Sequence, residues 1–295
     1  MTQGREPLAE LYLAVSALLI ASSFSASRLV KFGLPLVLLS ALCLVSLSPL
    51  FLLFVALYIY VTWRLTASSN NAGNVWLTRL YQLIWLVVSA GLIVHQLPGY
   101  QGLLLAENVV LKANSLPMNL YLNVDKALFS WSALCFVPLF KRSLPSGKTF
   151  NWWLPALFAP LGIGAVVAIA VSTGIVTWQI AAPGYFAIIA LSNLINTCVA
   201  EELLFRGLLF KLGMSRLPGN LSSAARTTLV LAITSVVFGL AHFAGGASYV
   251  LVATIAGLLY GTVYLLTGRI IFAVLTHWLL NVTHMLLLTY PMTEF

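Results

Sequence analysis

Glu201, Glu202 and Arg206 fall within six residues, in Ala200-Glu201-Glu202-Leu203-Leu204-Phe205-Arg206-Gly207, inside a run that is otherwise apolar. A charge at bilayer depth costs at least ~2.5–3.5 kcal/mol on insertion scales, so such residues face a protein interior or a water-filled cavity and are functional by default. On a helix, Glu202 and Arg206 are four apart and share a face, with the acid on the N-terminal side, the favourable orientation for an ion pair. Glu201 points about 100° away around the helix. The expectation is a division of labour: Arg206 neutralises Glu202, and Glu201 serves as general base. The plain alternative is a charge cluster that only locks two helices together.

Two further groups carry chemistry: Phe238-Gly239-Leu240-Ala241-His242 and His277-Trp278-Leu279-Leu280-Asn281. His277 and Asn281 are four apart and share a face. A lone histidine in an apolar helix is more often a hydrogen-bonded core residue. Two of them, one with an in-phase asparagine, in a chain that also has the Glu pair, supply a base, two imidazoles and an amide donor. That is the set needed to add water to a carbonyl. His95, beside Gln96 and Pro98, reads as interfacial. His284 faces the same way as His277 but lies near the outer boundary.

The elements that must position these residues are membrane helices. The 295-residue chain is 61% hydrophobic and only 7% charged, with mean hydropathy +0.99, whereas soluble proteins average about 25% charged residues. The fold class expected is all-α, a polytopic transmembrane bundle. The net charge of +8 does not point to nucleic acid, because the basic residues are scattered singly at the ends of apolar runs and read as topology signals. Cys43, Cys135 and Cys198 have no metal or disulfide spacing and read as small core residues.

Apolar segments at 8–26, 29–46, 49–66, 75–97, 125–141, 152–174, 183–212, 226–243, 247–267 and 269–290 give about ten spans. With both termini outside, eleven basic residues fall on the cytoplasmic side and three (Arg5, Lys112 and Lys126) outside, which supports keeping the second and third spans separate. Acids at Glu6 and Glu10 offset Arg5, so the first span reads as a retained helix rather than a signal peptide. Trp63, Trp76, Trp152, Trp153 and Trp178 lie at span ends, as interfacial belts would place them.

The outer 98–124 connection mixes polar and apolar residues. It is expected to lie on the bilayer surface or fold over the bundle. The seventh span is long, with Pro183 in its first turn, Lys211 in its last and Gly213 as its C-terminal cap. Asn193 and Thr197 precede Glu201 at four-residue steps and suggest a polar stripe.

Depth imposes a condition. His277 is eight residues from Arg269, about 12 Å in, but His242 is sixteen from Arg226, about 24 Å in. The eighth span must therefore start shallow, capped by Ser222 or Ser223 with Arg226 snorkelling from its first turn, or else tilt strongly.

EExxxR, then FxxxH on the next span, then HxxxN two spans later resembles the CPBP family, the type II CAAX prenyl endopeptidases and the bacterial intramembrane proteases and bacteriocin-immunity proteins related to them. The resemblance covers about 183–290 and rests on Glu201, Glu202, Arg206, Phe238, His242, His277 and Asn281. It implies a protease core in residues 151–295, built on the last four helices, behind N-terminal helices (1–150) of unassigned role. It also implies an intramembrane endopeptidase in which Glu201 and His242 activate water and His277 and Asn281 form the oxyanion hole.

The preferred reading requires no cofactor. Zinc is the alternative, held by Glu201, His242 and His277 if their depths agree. The expected partners are the lipid bilayer and a membrane-associated protein or peptide substrate, and the expected location is a bacterial inner membrane. The competing readings are a proton-coupled transporter, in which the acids and histidines relay protons, and a non-proteolytic immunity or scaffold protein.

Overall fold

The structure is a computed structural model that describes residues 6–68, 74–142, 153–217 and 221–293. Arg5, Lys148 and Trp152, which entered the topology reading, lie outside the described residues. Among the described residues ten helices of seven residues or more follow one another. They are α1 (Glu6–Ser23), α2 (Leu29–Cys43), α3 (Pro49–Ser68), α4 (Val75–Ile93), α5 (Asp125–Leu134), α6 (Trp153–Ser172), α7 (Phe186–Arg216), α8 (Ser223–Leu240), α9 (Gly246–Thr267) and α10 (Ile270–Leu287).

The all-α membrane class holds, and every expected apolar segment contains a helix. The count of full crossings differs. Among the described residues, seven helices are long and apolar enough to cross a membrane, namely α3, α4 and α6 to α10. The fifth segment contains only ten helical residues, about 15 Å at 1.5 Å per residue. Pro138, without an N–H, stands just beyond the turn that ends it. The second and third segments are separate helices, broken before Pro49, which starts α3. Leu29, Val37, Leu53, Val87 and Leu161 are exposed, the pattern of helices whose solvent is lipid.

The chain divides into two compact units: 1–107 with 119–137 and 195–200, and 108–118 with 138–194 and 201–295. In the first, α5 is the core, with nearly every side chain buried. The hydroxyl and indole groups of Thr62, Trp85 and Ser132 are neutral and matched. Ser132 Oγ accepts from Trp85 Nε1 and shares a hydrogen bond with Thr62 Oγ1, both at 2.7 Å, and Tyr58 and Ser89 bond at 2.7 Å. Trp131 Nε1 donates to Lys31 O at 2.9 Å.

His95, read as interfacial, instead bonds through Nδ1 to buried Asp125 at 2.7 Å. Sequence spacing gave no sign of that pair, because the partners are thirty residues apart.

The 98–124 connection folds in part into a two-stranded sheet, β1 (Leu103–Val109) and β2 (Met118–Leu122). Within the second unit, Lys112 from this connection is buried against the end of α10. Its ammonium donates to Gln179 O at 2.5 Å, Leu288 O at 2.6 Å and Met285 O at 3.1 Å. A cation there answers the unpaired carbonyls and negative dipole end of the helix. Burial pulls the Lys112 ammonium below its ordinary value.

Also in the second unit, α8 and α9 approach closely where residues are small. A Cβ on Gly239 would meet Thr254 Oγ1 and Val250 O, and one on Gly257 would meet the Ser235 backbone at 3.2 Å. Small residues let helix backbones come together in lipid, where no hydrophobic force does so. The approach brings the Gly257 carbonyl within reach of Arg206.

Candidate active site

α7 is not a regular helix. Residues Asn193–Cys198 and Leu203–Leu209 have π-helical hydrogen bonding, on either side of one α-turn at Val199–Glu202. π-turns inside helices are frequent at functional sites, and here two bracket the Glu pair, a third lying in α2 at Leu29–Gly33. α7 begins at Phe186 after Tyr185 in a left-handed conformation (φ 61°) and runs to Arg216. The expected ends are therefore corrected. Pro183 precedes the helix, and Gly213 does not cap it but lies within it, against Val230.

Glu202 and Arg206 pair as expected. Arg206 Nη1 lies 3.0 Å from the Glu202 carboxylate, and Nη2 donates to Gly257 O at 2.5 Å. The two residues are 0% and 2% exposed. The guanidinium also lies against the rings of Phe238 and Tyr260, at 5.3 and 5.6 Å, a cation–π setting suited to arginine.

The structure adds a third member that the sequence did not assign to this pair. His277 Nδ1 bonds to Glu202 Oε1 at 3.0 Å, and its ring stacks on Tyr260 with centroids 4.4 Å apart and planes at 13°. Glu202 thus ties α7 to α10.

His242 and His277 line the same cavity, together with Phe238, Tyr249, Tyr260, Asn281 and His284. The two histidines thus reach one cavity, and the start of α8 is as expected. Ser222 caps α8, its side chain accepting from Ala225 N at 3.2 Å. α8 ends at Leu240 and His242 follows in the turn beyond it. Phe238 lies between the histidines, 4.7 Å from the His242 ring and 5.7 Å from that of His277. The cavity has a volume of about 80 Å³, and Val166, Val167, Ala170, Ile175 and Val176 form its apolar wall.

The tautomers follow from the partners. A carbonyl only accepts, so His242 Nδ1–H donates to Phe238 O at 2.8 Å, which leaves Nε2 as an acceptor when the ring is neutral. His277 Nδ1–H donates to the Glu202 carboxylate in the same way. Its Nε2 is a donor only in the imidazolium form, for which Glu202 is the counter-charge.

Glu201 is half-buried, unlike Glu202, and lies within electrostatic reach of Tyr249. Tyr249 in turn stacks beside His242 at 5.9 Å. Asn281 Nδ2 donates to Asn193 Oδ1 at 3.0 Å. His284, expected near the boundary, lines the cavity while its Nε2 is hydrogen-bonded to Thr289 O at 3.0 Å. Among the described residues, no three His, Cys, Asp or Glu side chains gather as metal ligands.

Sequence reading missed Tyr249 and Tyr260. Aromatic residues are common in membrane helices, so no spacing marks them as neighbours of a histidine.

Residues 183–283 match the family model described as Type II CAAX prenyl endopeptidase Rce1-like. No curated protein and no solved structure matches the chain.

Proposed function

We propose that this integral membrane protein, whose residues 183–283 match the Type II CAAX prenyl endopeptidase Rce1-like family model, is an intramembrane endopeptidase acting on a membrane-associated protein or peptide in a bacterial inner membrane. The observation that carries the reading is one cavity lined by His242, His277 and Asn281, with His277 anchored to the Glu202–Arg206 pair.

In this reading Glu201 and His242 take a proton from water as its oxygen attacks the scissile carbonyl carbon. His242 suits the role because its Nδ1–H is committed to Phe238 O and Nε2 accepts. The carbonyl oxygen becomes an oxyanion, met by His277 Nε2–H and the Asn281 amide. The C–N bond then breaks and the leaving nitrogen takes the proton back.

Donation by His277 requires its imidazolium form. Glu202 and Arg206 act by holding His277 in place.

The test compares membrane-protein fragments from cells carrying the active chain or Glu201→Gln. A fragment that depends on Glu201 is expected, with equal protein levels. Identical fragment patterns would remove the proteolytic reading. The metal alternative has its own measurement. Activity of the purified protein is expected to persist through prolonged chelation, whereas loss on chelation and recovery on adding zinc would assign the chemistry to an ion.

A further inference from the structure

Asn193 belongs to none of the three motifs, yet its side chain contacts the amide to which the proposed mechanism gives the oxyanion. Asn281 Nδ2 donates to Asn193 Oδ1 at 3.0 Å, and nearby Trp278 Nε1 donates to Ala190 O at 2.9 Å. α10 is therefore pinned to the upper part of α7 by two hydrogen bonds, separate from the Glu202–His277 link. Asn193 is also the first residue of the Asn193–Cys198 π-helical segment, so the departure from α-geometry begins at the residue that makes this contact.

A carboxamide is ambivalent. Turning it by 180° exchanges a donor for an acceptor at almost the same volume. In an oxyanion hole the two orientations have opposite signs, because the nitrogen end stabilises developing negative charge and the oxygen end repels it. Some neighbour must select between them, and an oxygen held on one side of the amide does so by accepting one of its two hydrogens.

We propose that Asn193 is a positioning residue for peptide hydrolysis, fixing the Asn281 carboxamide with its nitrogen toward the oxyanion. The proposal rests on the endopeptidase reading and adds to it a residue that acts through Asn281. It also gives Asn193, expected as part of a polar stripe, a specific use.

The experiment uses the full-length purified chain in nanodiscs, with a synthetic peptide spanning the cleavage site defined by the Glu201-dependent fragment. Asn193→Leu, with Asn193→Ala as a second variant free of added bulk, is expected to lower kcat roughly 10–100-fold, the scale seen when a partner that orients a functional group is lost. KM should stay within about twofold, since the contact acts on the transition state rather than on ground-state binding. In an Asn281→Ala background the same substitutions should cost kcat nothing further, because the amide that Asn193 positions is already gone.

Full additivity of the two losses, an effect confined to KM, or unchanged kcat in both Asn193 variants would overturn the proposal while leaving the endopeptidase reading intact. An Asn281→Ala variant with full activity would remove both the oxyanion assignment and this inference. Loss of the Glu201-dependent fragment identifies failure of the reading itself.

Discussion

The two units bury polar groups for different ends. Around α5 in the first unit, Thr62, Trp85 and Ser132 form a neutral network in which each donor finds an acceptor. Around α7 and α10 in the second, Glu202, Arg206 and His277 form a charged cluster with exposures of 0, 2 and 4%. Neutral buried hydrogen bonds stabilise by about 0.5–1.5 kcal/mol each. Buried ion pairs often do no better than apolar residues of the same volume, since desolvation offsets attraction. A network of the first kind is explained by folding alone, whereas a cluster of the second kind needs a further reason. Here the reason is the imidazole that Glu202 holds at a cavity.

The comparison predicts that substitutions in the two networks separate activity from stability. The largest effect is expected at Glu201 and His242. Glu201→Gln and His242→Gln should each abolish cleavage at normal protein levels, because an amide cannot accept the proton of water. His277→Gln should keep some turnover, because an amide still donates. Equal and total loss in the two histidine variants would erase the distinction drawn between acceptor and donor.

Next comes Arg206→Ala, which leaves a buried carboxylate without its cation, a change that typically costs ~3–5 kcal/mol. Membrane accumulation measured by immunoblot should fall, and normal accumulation would show that the pair is not structural. Asn281→Ala should lower kcat by roughly 10²–10³, the usual cost of one oxyanion donor, with KM little changed in peptide assays.

The smallest effect belongs to the neutral network. Ser132→Ala strands the Trp85 indole N–H, at about 1–3 kcal/mol for a buried unsatisfied group. Thermal unfolding in detergent should shift down while kcat per folded molecule stays constant. A fall in kcat would mean that the neutral network also serves the chemistry.

Much of the second unit was legible because its signals are local. Glu202 and Arg206 are one turn apart, and a four-residue spacing on a helix is enough to predict their contact, which the structure contains. The Ser222 cap was similarly readable from the few residues around it. The first unit gave less away. Its hydroxyl network joins residues such as Thr62 and Ser132, seventy positions apart, and serines and threonines in apolar helices are too ordinary to stand out. Lys112 read as an external loop charge, since nothing near it in sequence indicates the end of α10.

From composition and spacing alone came the membrane class, the separate apolar helices, the Glu202–Arg206 pair and the residues proposed for catalysis. These follow from hydropathy and from the fixed period of a helix, which depend only on neighbours in the chain. Tertiary structure decided that Glu202 also holds His277, that Asn193 holds Asn281, and that Phe238 separates the two histidines at one cavity. Those contacts depend on which helix faces meet and at what height, and the π-turns in α7 and the close approach at Gly239 and Gly257 alter both. Helical periodicity gives the phase of a residue on its own helix, and only packing supplies the partner on the next.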